Sequence, residues 1–385
     1  MREPAPAALP IEREIMTEKQ KKPWTYKDAG VDVERGGQFI RDIASLVRST
    51  HGPRVMHAGS GFAGLFALNH QPGLFRHDYH DPVLVSCTDG VGTKLKIAFE
   101  MGVHRTVGID LVAMSVDDLV VCGAEPLFFI DYIATSRKDP RVLAWVMEGI
   151  AEGCRQSRMA ILGGETAELP GFYRKGEYDL AGFAVGVVER KKILSGDTIE
   201  PGDAVIGIES SGLHSNGYSL ARAVLLEEGG RRLEDWVPEL DDILGEVLLR
   251  PTLIYAPLVA ALLRGYKVKK VIKAFAHITG SGIPGNLARV LPEGVRARVD
   301  PAKWPKQPVF ELIRAIGDVS PPEMYRVFNM GIGFCAVVSR FFADAILGKI
   351  RRTGFQGHLI GEIVKGERGV EIAGVELDGK AKADL

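Results

Sequence analysis

One local pattern recurs along the chain: a short apolar run, a cluster of glycines, then a segment of helical periodicity. Residues 83–85 lead to Asp89-Gly90-Val91-Gly92, and residues 160–162 to Gly163-Gly164. Residues 204–208 lead to the glycines of 212–217, and residues 274–278 to those of 280–285. A further turn, Gly331-Ile332-Gly333, precedes the apolar run 334–338. Runs this short bury as strands rather than helices, and glycine at their ends bares backbone N–H groups to close approach by a ligand. Helical spacing is read at 35–48, 93–101, 108–121, 142–156, 218–228 and 341–353. Strands alternating with helices predict an α/β or α+β chain. The pattern takes up many of the 45 glycines in 385 residues, a share well above the usual ~7%.

Two turn clusters, Ser195-Gly196-Asp197 and Pro201-Gly202-Asp203, stand close together and predict a domain division. The expected parts are a disordered tail over 1–25, an N-terminal domain over 26–190 and a C-terminal domain over 191–385. The tail has no apolar core that could serve as a secretory signal. The longest apolar stretch, 253–263, is too short to span a membrane and contains Pro257. Lys and Arg number 48 against 49 Asp and Glu, which argues against a nucleic-acid binder. Cys87, Cys122, Cys154 and Cys335 form no C-x-x-C pair, so free thiols in a reducing cytoplasm are expected.

Five constellations could carry chemistry. In Thr88-Asp89-Gly90-Val91-Gly92-Thr93-Lys94 an aspartate leaves a strand, glycines follow, and Thr-Lys opens a helix. A helix start with free N–H groups favours anionic oxygens, a lysine neutralises phosphate, and an aspartate can hold Mg²⁺. The spacing is not that of a P-loop. In the apolar segment 108–121, Asp110 and Asp117 share a face roughly 10 Å apart, too far for one ion, and Asp118 lies beside them. Gly163-Gly164-Glu165 repeats the strand, glycine and carboxylate order. Asp89, Asp118 and Glu165 would supply hard oxygen ligands suited to Mg²⁺. The run His214-Ser215-Asn216-Gly217 places a candidate proton-transfer histidine and two small polar side chains at a strand-to-helix turn. Gly59-Ser60-Gly61-Phe62-Ala63-Gly64 matches G-x-G-x-x-G without a good preceding strand, and reads as a phosphate-covering loop rather than a Rossmann site. Five histidines lie within 51–80 without the spacing of a zinc site, and no G-x-S-x-G elbow exists for a serine hydrolase.

Eight segments, taken in order, resemble the phosphoribosylformylglycinamidine cyclo-ligase family across about residues 26–370. They are Tyr26-Lys27-Asp28-Ala29-Gly30-Val31-Asp32, the Thr88 to Lys94 run, Gly108-Ile109-Asp110-Leu111-Val112-Ala113-Met114, Gly123-Ala124-Glu125-Pro126-Leu127-Phe128-Phe129, Gly163 to Glu168, His214 to Ser219, Ala276-His277-Ile278-Thr279-Gly280 and Met324-Tyr325-Arg326-Val327-Phe328-Asn329. The resemblance implies ATP-dependent ring closure of formylglycinamidine ribonucleotide to aminoimidazole ribonucleotide, with ADP and phosphate released, in purine biosynthesis. It implies a homodimer in which the N-terminal mixed sheets of two subunits pair into a β-barrel, beside a C-terminal α/β layer domain. It implies ATP and Mg²⁺, with K⁺ as a further candidate. The site residues expected are His214 and Lys94 for catalysis and Asp89, Asp118 and Glu165 for metal. Gly59, Gly61, Gly64, Gly90, Gly92, Thr93, Gly163, Gly164 and Asn216 are expected around the nucleotide. A selenophosphate synthetase-like enzyme would want a reactive cysteine in an N-terminal glycine loop, and no cysteine precedes Cys87. A thiamin-monophosphate kinase-like enzyme is the other ATP-using alternative. A non-catalytic relative would have shed the acidic ligands, which are all present.

Overall fold

The computed structural model describes residues 33–56, 63–69, 79–266 and 270–377. The expected tail at 1–25 and the glycines Gly59 and Gly61 lie outside them. In the N-terminal half, α1 (Val33–Arg48) precedes a small hairpin of β1 (Val55–Met56) and β2 (Leu65–Phe66). Then come β3 (Pro82–Gly90), α2 (Lys94–Met101), α3 (Arg105–Val120), β4 (Glu125–Thr135), α4 (Pro140–Ser157), β5 (Ala160–Glu168) and β6 (Tyr178–Glu189). The second half runs β7 (Ala204–Glu209), α5 (Tyr218–Arg222), a π-helical turn (Ala223–Glu228), a hairpin of β8 (Trp236–Val237) and β9 (Asp242–Ile243), α6 (Leu244–Leu248), α7 (Ala256–Gly265) and β10 (Ile272–His277). It closes with α8 (Gly282–Ala288), β11 (Val295–Val299), α9 (Pro308–Gly317), α10 (Pro321–Val327), β12 (Ile332–Val338), α11 (Ala343–Arg352), β13 (Gly357–Lys365) and β14 (Gly369–Ile372).

Apart from the two hairpins β1-β2 and β8-β9, the strands up to Glu189 form a four-stranded sheet in the order β3-β6-β4-β5, and those from Ala204 form a six-stranded sheet in the order β10-β12-β7-β13-β11-β14. Both are mixed. Only β4 with β5 and β11 with β14 run parallel; their other pairings are antiparallel. The mixed sheets fit the expected α/β or α+β chain, and local pattern does not encode which strand becomes a neighbour.

The two sheets are covered differently, and their burial shows it. β12 is buried at every position, and alternate residues feed two separate cores: Phe334, Ala336 and Val338 one, Cys335 and Val337 the other. The C-terminal sheet is therefore packed on both faces. β3 instead alternates between half-buried and exposed residues. One face of the N-terminal sheet lies under α3 and α4, while Leu84, Ile130, Tyr132 and Phe183 on the other face are exposed.

α4 starts at Asp139, whose carboxylate accepts from the Arg141 and Val142 N–H groups, with Pro140 in the first turn. α3 and α4 touch through glycine. A Cβ on Gly149 would sit 1.9 Å from the Arg105 carbonyl oxygen, and one on Gly108 2.2 Å from that of Val146. This close crossing sets α3, with its aspartates, at a fixed height over the sheet.

Candidate active site at the seam between the halves

The end of β3 brings Asp89 to the helix side of the N-terminal sheet, beside α3. Cys87, two residues earlier on the same face, donates its thiol to the Ser115 carbonyl at 2.7 Å. One turn further along α3, Asp118 reaches across to the C-terminal half, where its Oδ1 lies 2.8 Å from Nδ1 of His277 at the end of β10. His277 is nearly sealed from solvent while the Asp118 carboxylate remains 44% exposed.

Three glycine loops close on this point. The Ser215 hydroxyl donates to the Val91 carbonyl at 2.8 Å, and the Thr93 and Ser219 hydroxyls lie 3.1 Å apart. The Gly280 N–H donates to Asn216 Oδ1 at 3.1 Å. Gly92, Thr93, Gly280 and Ser281 remain exposed around the junction. Gly92 has φ +70° and open space where a side chain would stand, which suits backbone approach to a phosphate.

The electrostatics set the carboxylates and His277 against one another. Burial pushes the Asp89 carboxyl up and the charge of Asp118 adds to it, against the Gly90 N–H and His277. Asp117, fully buried, is pushed up to about 7 by desolvation, though His277 and the Tyr255 N–H oppose this. Burial alone would discharge His277, but the Asp118 hydrogen bond and the charges of Asp117, Asp118 and Asp89 outweigh it, so the imidazole titrates above its usual value. Its Nε2 is buried without a hydrogen-bond partner. In the sequence, His277 stands out only as a member of the segment Ala276-His277-Ile278-Thr279-Gly280. The sequence signal that could have singled it out is a histidine at the end of an apolar strand immediately before a glycine loop.

Three sequence expectations need correction. Lys94 does not face a ligand. It is fully buried, with Nζ 2.9 Å from Asp110 Oδ1, 2.9 Å from the His214 carbonyl and 2.7 Å from the Arg250 carbonyl. Asp110 also accepts from the N–H and hydroxyl of Thr252 at 2.7 and 2.6 Å. Asp117 accepts from the Tyr255 N–H at 2.8 Å. The two aspartates on one face of α3 are thus hooks for residues 252–255 of the other half.

His214 is not placed for proton transfer. It is 1% exposed, accepts from the Ser211 N–H through Nε2 at 3.2 Å, and packs against Gly333 and Tyr255. Burial, with the charges of His277 and Lys94, holds its pKa well below the usual histidine value, so it stays neutral.

Glu165 does not join Asp89 and Asp118. The register sets Asp89 opposite Gly182, Gly182 opposite Asp131, and Asp131 opposite Gly164. Three ladder steps of about 4.8 Å separate the two edge strands by roughly 14 Å. Glu165 also shares the exposed face with Tyr132, its partner on β4, whereas Asp89 lies on the helix face. No three His, Cys, Asp or Glu side chains among the described residues are grouped to hold a metal ion. Gly163 and Gly164 lie inside β5 rather than in a loop after it. A Cβ on Gly164 would stand 2.5 Å from the Asp131 carboxylate, so packing accounts for that glycine. Gly64 likewise abuts Leu162, at 2.3 Å for a notional Cβ.

Comparison with known proteins agrees with this two-part plan. Residues 71–188 match the family model described as AIR synthase related protein, N-terminal domain, and residues 200–374 match its C-terminal domain counterpart. The chain is 53% identical over 343 residues to the phosphoribosylformylglycinamidine cyclo-ligase of Myxococcus xanthus, covering 89% of this chain and 96% of that one. It is 52% identical over 340 residues to the enzyme of the same name from Sorangium cellulosum, covering 88% and 95%. The fold also matches a crystal structure of the hydrogenase maturation protein HypE in complex with ATP, with a TM-score of 0.59 at 17% identity over 88% of this chain and 91% of that one. With a two-part family match and half of its residues shared with named relatives along nearly their full length, the chain belongs to the phosphoribosylformylglycinamidine cyclo-ligase family.

Proposed function

We propose that this chain closes the imidazole ring of aminoimidazole ribonucleotide from formylglycinamidine ribonucleotide, with ATP as the second substrate. The observation that carries the reading is the seam where Asp89, Asp118 and His277 meet three glycine loops; the identity to named cyclo-ligases fixes the reaction it serves. The γ-phosphoryl group of ATP passes to the formyl oxygen, the ribose-bearing amidine nitrogen attacks the formyl carbon, and phosphate and ADP leave. Phosphoryl transfer asks the protein for position and charge neutralisation rather than for a nucleophile. The exposed backbone around Gly90, Gly92, Thr93 and Asn216 cradles phosphate oxygens, and His277, braced by Asp118, holds or accepts a proton at Nε2.

Mg²⁺ fits two carboxylates. Such an ion would be held by one or two of them plus substrate phosphates, and the charge of Asp118 lies close enough to add to the cost of ionising Asp89. When bound, the ion would neutralise phosphate charge. Glu165 stands on the exposed sheet face with Tyr132, Ile130 and Phe183. We assign that apolar face to a second copy of the chain, so Glu165 can reach a metal only across the dimer. No donor set among the described residues is assigned to K⁺. The N-terminal half, 26–190, is then the ATP-binding and dimerisation part. The four free thiols suit a reducing cytoplasm. No helix of the described residues is long and apolar enough to cross a membrane.

The test is a coupled assay with purified protein, Mg-ATP and formylglycinamidine ribonucleotide. ADP and aminoimidazole ribonucleotide should appear together in equal amounts. ATP turnover that ignores the ribonucleotide, or no turnover, would overturn the assignment.

A further inference from the structure

A cleft of about 880 Å³ opens between the two halves, away from the seam of Asp89 and His277. Glu125 on its wall is paired through Val187 with Leu84, five residues (89 − 84) from Asp89. At about 3.3 Å per residue that places the cleft roughly 17 Å along the strand from the proposed active site. The volume lies within the ~300–1,000 Å³ typical of small-molecule sites.

Its charge is one-sided. Arg158, Lys191, Lys192, Arg264 and Lys270 all line it, and none of the five makes an ion pair with a described residue. The one carboxylate on its walls, Glu125, is already held by Arg54 and Tyr79. Lys273, also on the wall, is neutralised by Asp203 and Glu200. Part of the remaining surface is polar, from Gln156, Ser195 and Thr198, and part is apolar, from Leu263 of α7 and Tyr266, whose ring is held against Phe342 and under the Lys349 ammonium. The cations come from both halves: Arg158 from the end of α4, Lys191 and Lys192 from the connecting segment, Arg264 and Lys270 from beyond it.

We propose that this cleft is a second, non-catalytic site for a nucleoside phosphate, with the phosphates met by the five free cations and the ring by Leu263 and Tyr266. Five like charges around one concavity repel each other, and a polyanion relieves that repulsion. Inorganic phosphate would satisfy the charge and leave the apolar floor wet; a nucleoside phosphate covers both. Because the cations belong to both halves, the ligand bridges them. This inference does not depend on the reaction assigned above.

Calorimetric titration of the whole protein tests it, with GTP as the probe after one equivalent of Mg-AMPPCP per chain has filled the ATP site. One further binding event per chain is expected, weakening as salt is raised. Loss of a charge-assisted contact weakens binding by about tenfold or more, expected both for Lys191→Ser/Lys192→Ser and for Arg264→Ser on the opposite wall. Unchanged turnover in the coupled assay will show that both variants are folded. Absence of a second event at millimolar GTP overturns the proposal, as does an event of equal affinity in both variants, which places the ligand elsewhere. Tripolyphosphate binding as tightly as GTP refutes the nucleoside part.

Discussion

Replacing Lys94 by Met separates a structural role for this residue from a chemical one. In the parent, one ammonium group satisfies the Asp110 carboxylate and the carbonyls of His214 and Arg250, all away from water. The methionine fills most of the volume but donates nothing. Asp110, 0% exposed, keeps only its two bonds from Thr252, and two buried carbonyls lose their donor. Removing one partner of a buried ion pair costs about 3–5 kcal/mol. At roughly 2–4 °C per kcal/mol for a domain of this size, the melting temperature should fall by about 10 °C. Urea unfolding and differential scanning fluorimetry would measure both. A second signature is specific to the pair: Lys94→Met/Asp110→Leu should be more stable than Lys94→Met alone, because the stranded charge is gone. Melting within about 1 °C of the parent, combined with collapse of kcat, would refute this reasoning and return Lys94 to the phosphates.

Three further outcomes follow from the same geometry. His277→Gln should lower kcat by about 10²–10⁴-fold with little change in melting temperature; in the parent, kcat should rise with pH through a limb above the usual histidine value, and Asp118→Asn should move that limb down, since Asp118 favours the charged ring. Asp117 is protonated more readily folded than unfolded, so its contribution to stability falls as pH climbs from about 4 to about 7; Asp117→Asn, which keeps an acceptor for Tyr255, should flatten that fall in urea titrations at stepped pH. Gly164→Ala drives a methyl group into the Asp131 carboxylate and should cost about 1–3 kcal/mol, whereas Gly92→Ala, with open space but a left-handed backbone, should cost less.

Much of the local structure could be read directly. The α4 cap at Asp139-Pro140 and the amphipathic run of α1 follow from residues within one or two turns of each other. Asp89 and Asp118 were grouped by residue type as hard oxygen ligands, since their spacing does not by itself bring them together. Glycine was the ambiguous letter. Gly92 is left-handed and open to solvent, as a ligand loop requires, but Gly164 and Gly149 are glycine because a carboxylate and a carbonyl occupy the place of a Cβ. A one-dimensional motif cannot distinguish these uses, since both leave the same residue at a strand end or on a helix face.

Hydrophobic spacing, turn chemistry and the ordered motifs were enough to mark many of the elements, though not β1, β2, β8, β9, β11, β14, α6, α7, α9 or α10, and to indicate the two-part organisation and the family, because each rests on residues near one another in the chain or on the order of the segments. The assignment of individual charged side chains needed the folded molecule. Lys94 and His214 read as reactive groups beside glycines, and they turned out to be sealed inside the junction of the halves, where Asp110 holds the Lys94 ammonium against the pull of burial and burial keeps His214 neutral. His277 gained its raised affinity for a proton from aspartates about 160 and 190 residues earlier in the chain. Glu165 was separated from Asp89 by strand order, which put them on opposite edges and opposite faces of one sheet. Charge interactions depend on distance and dielectric in three dimensions, and neither quantity is written in sequence spacing.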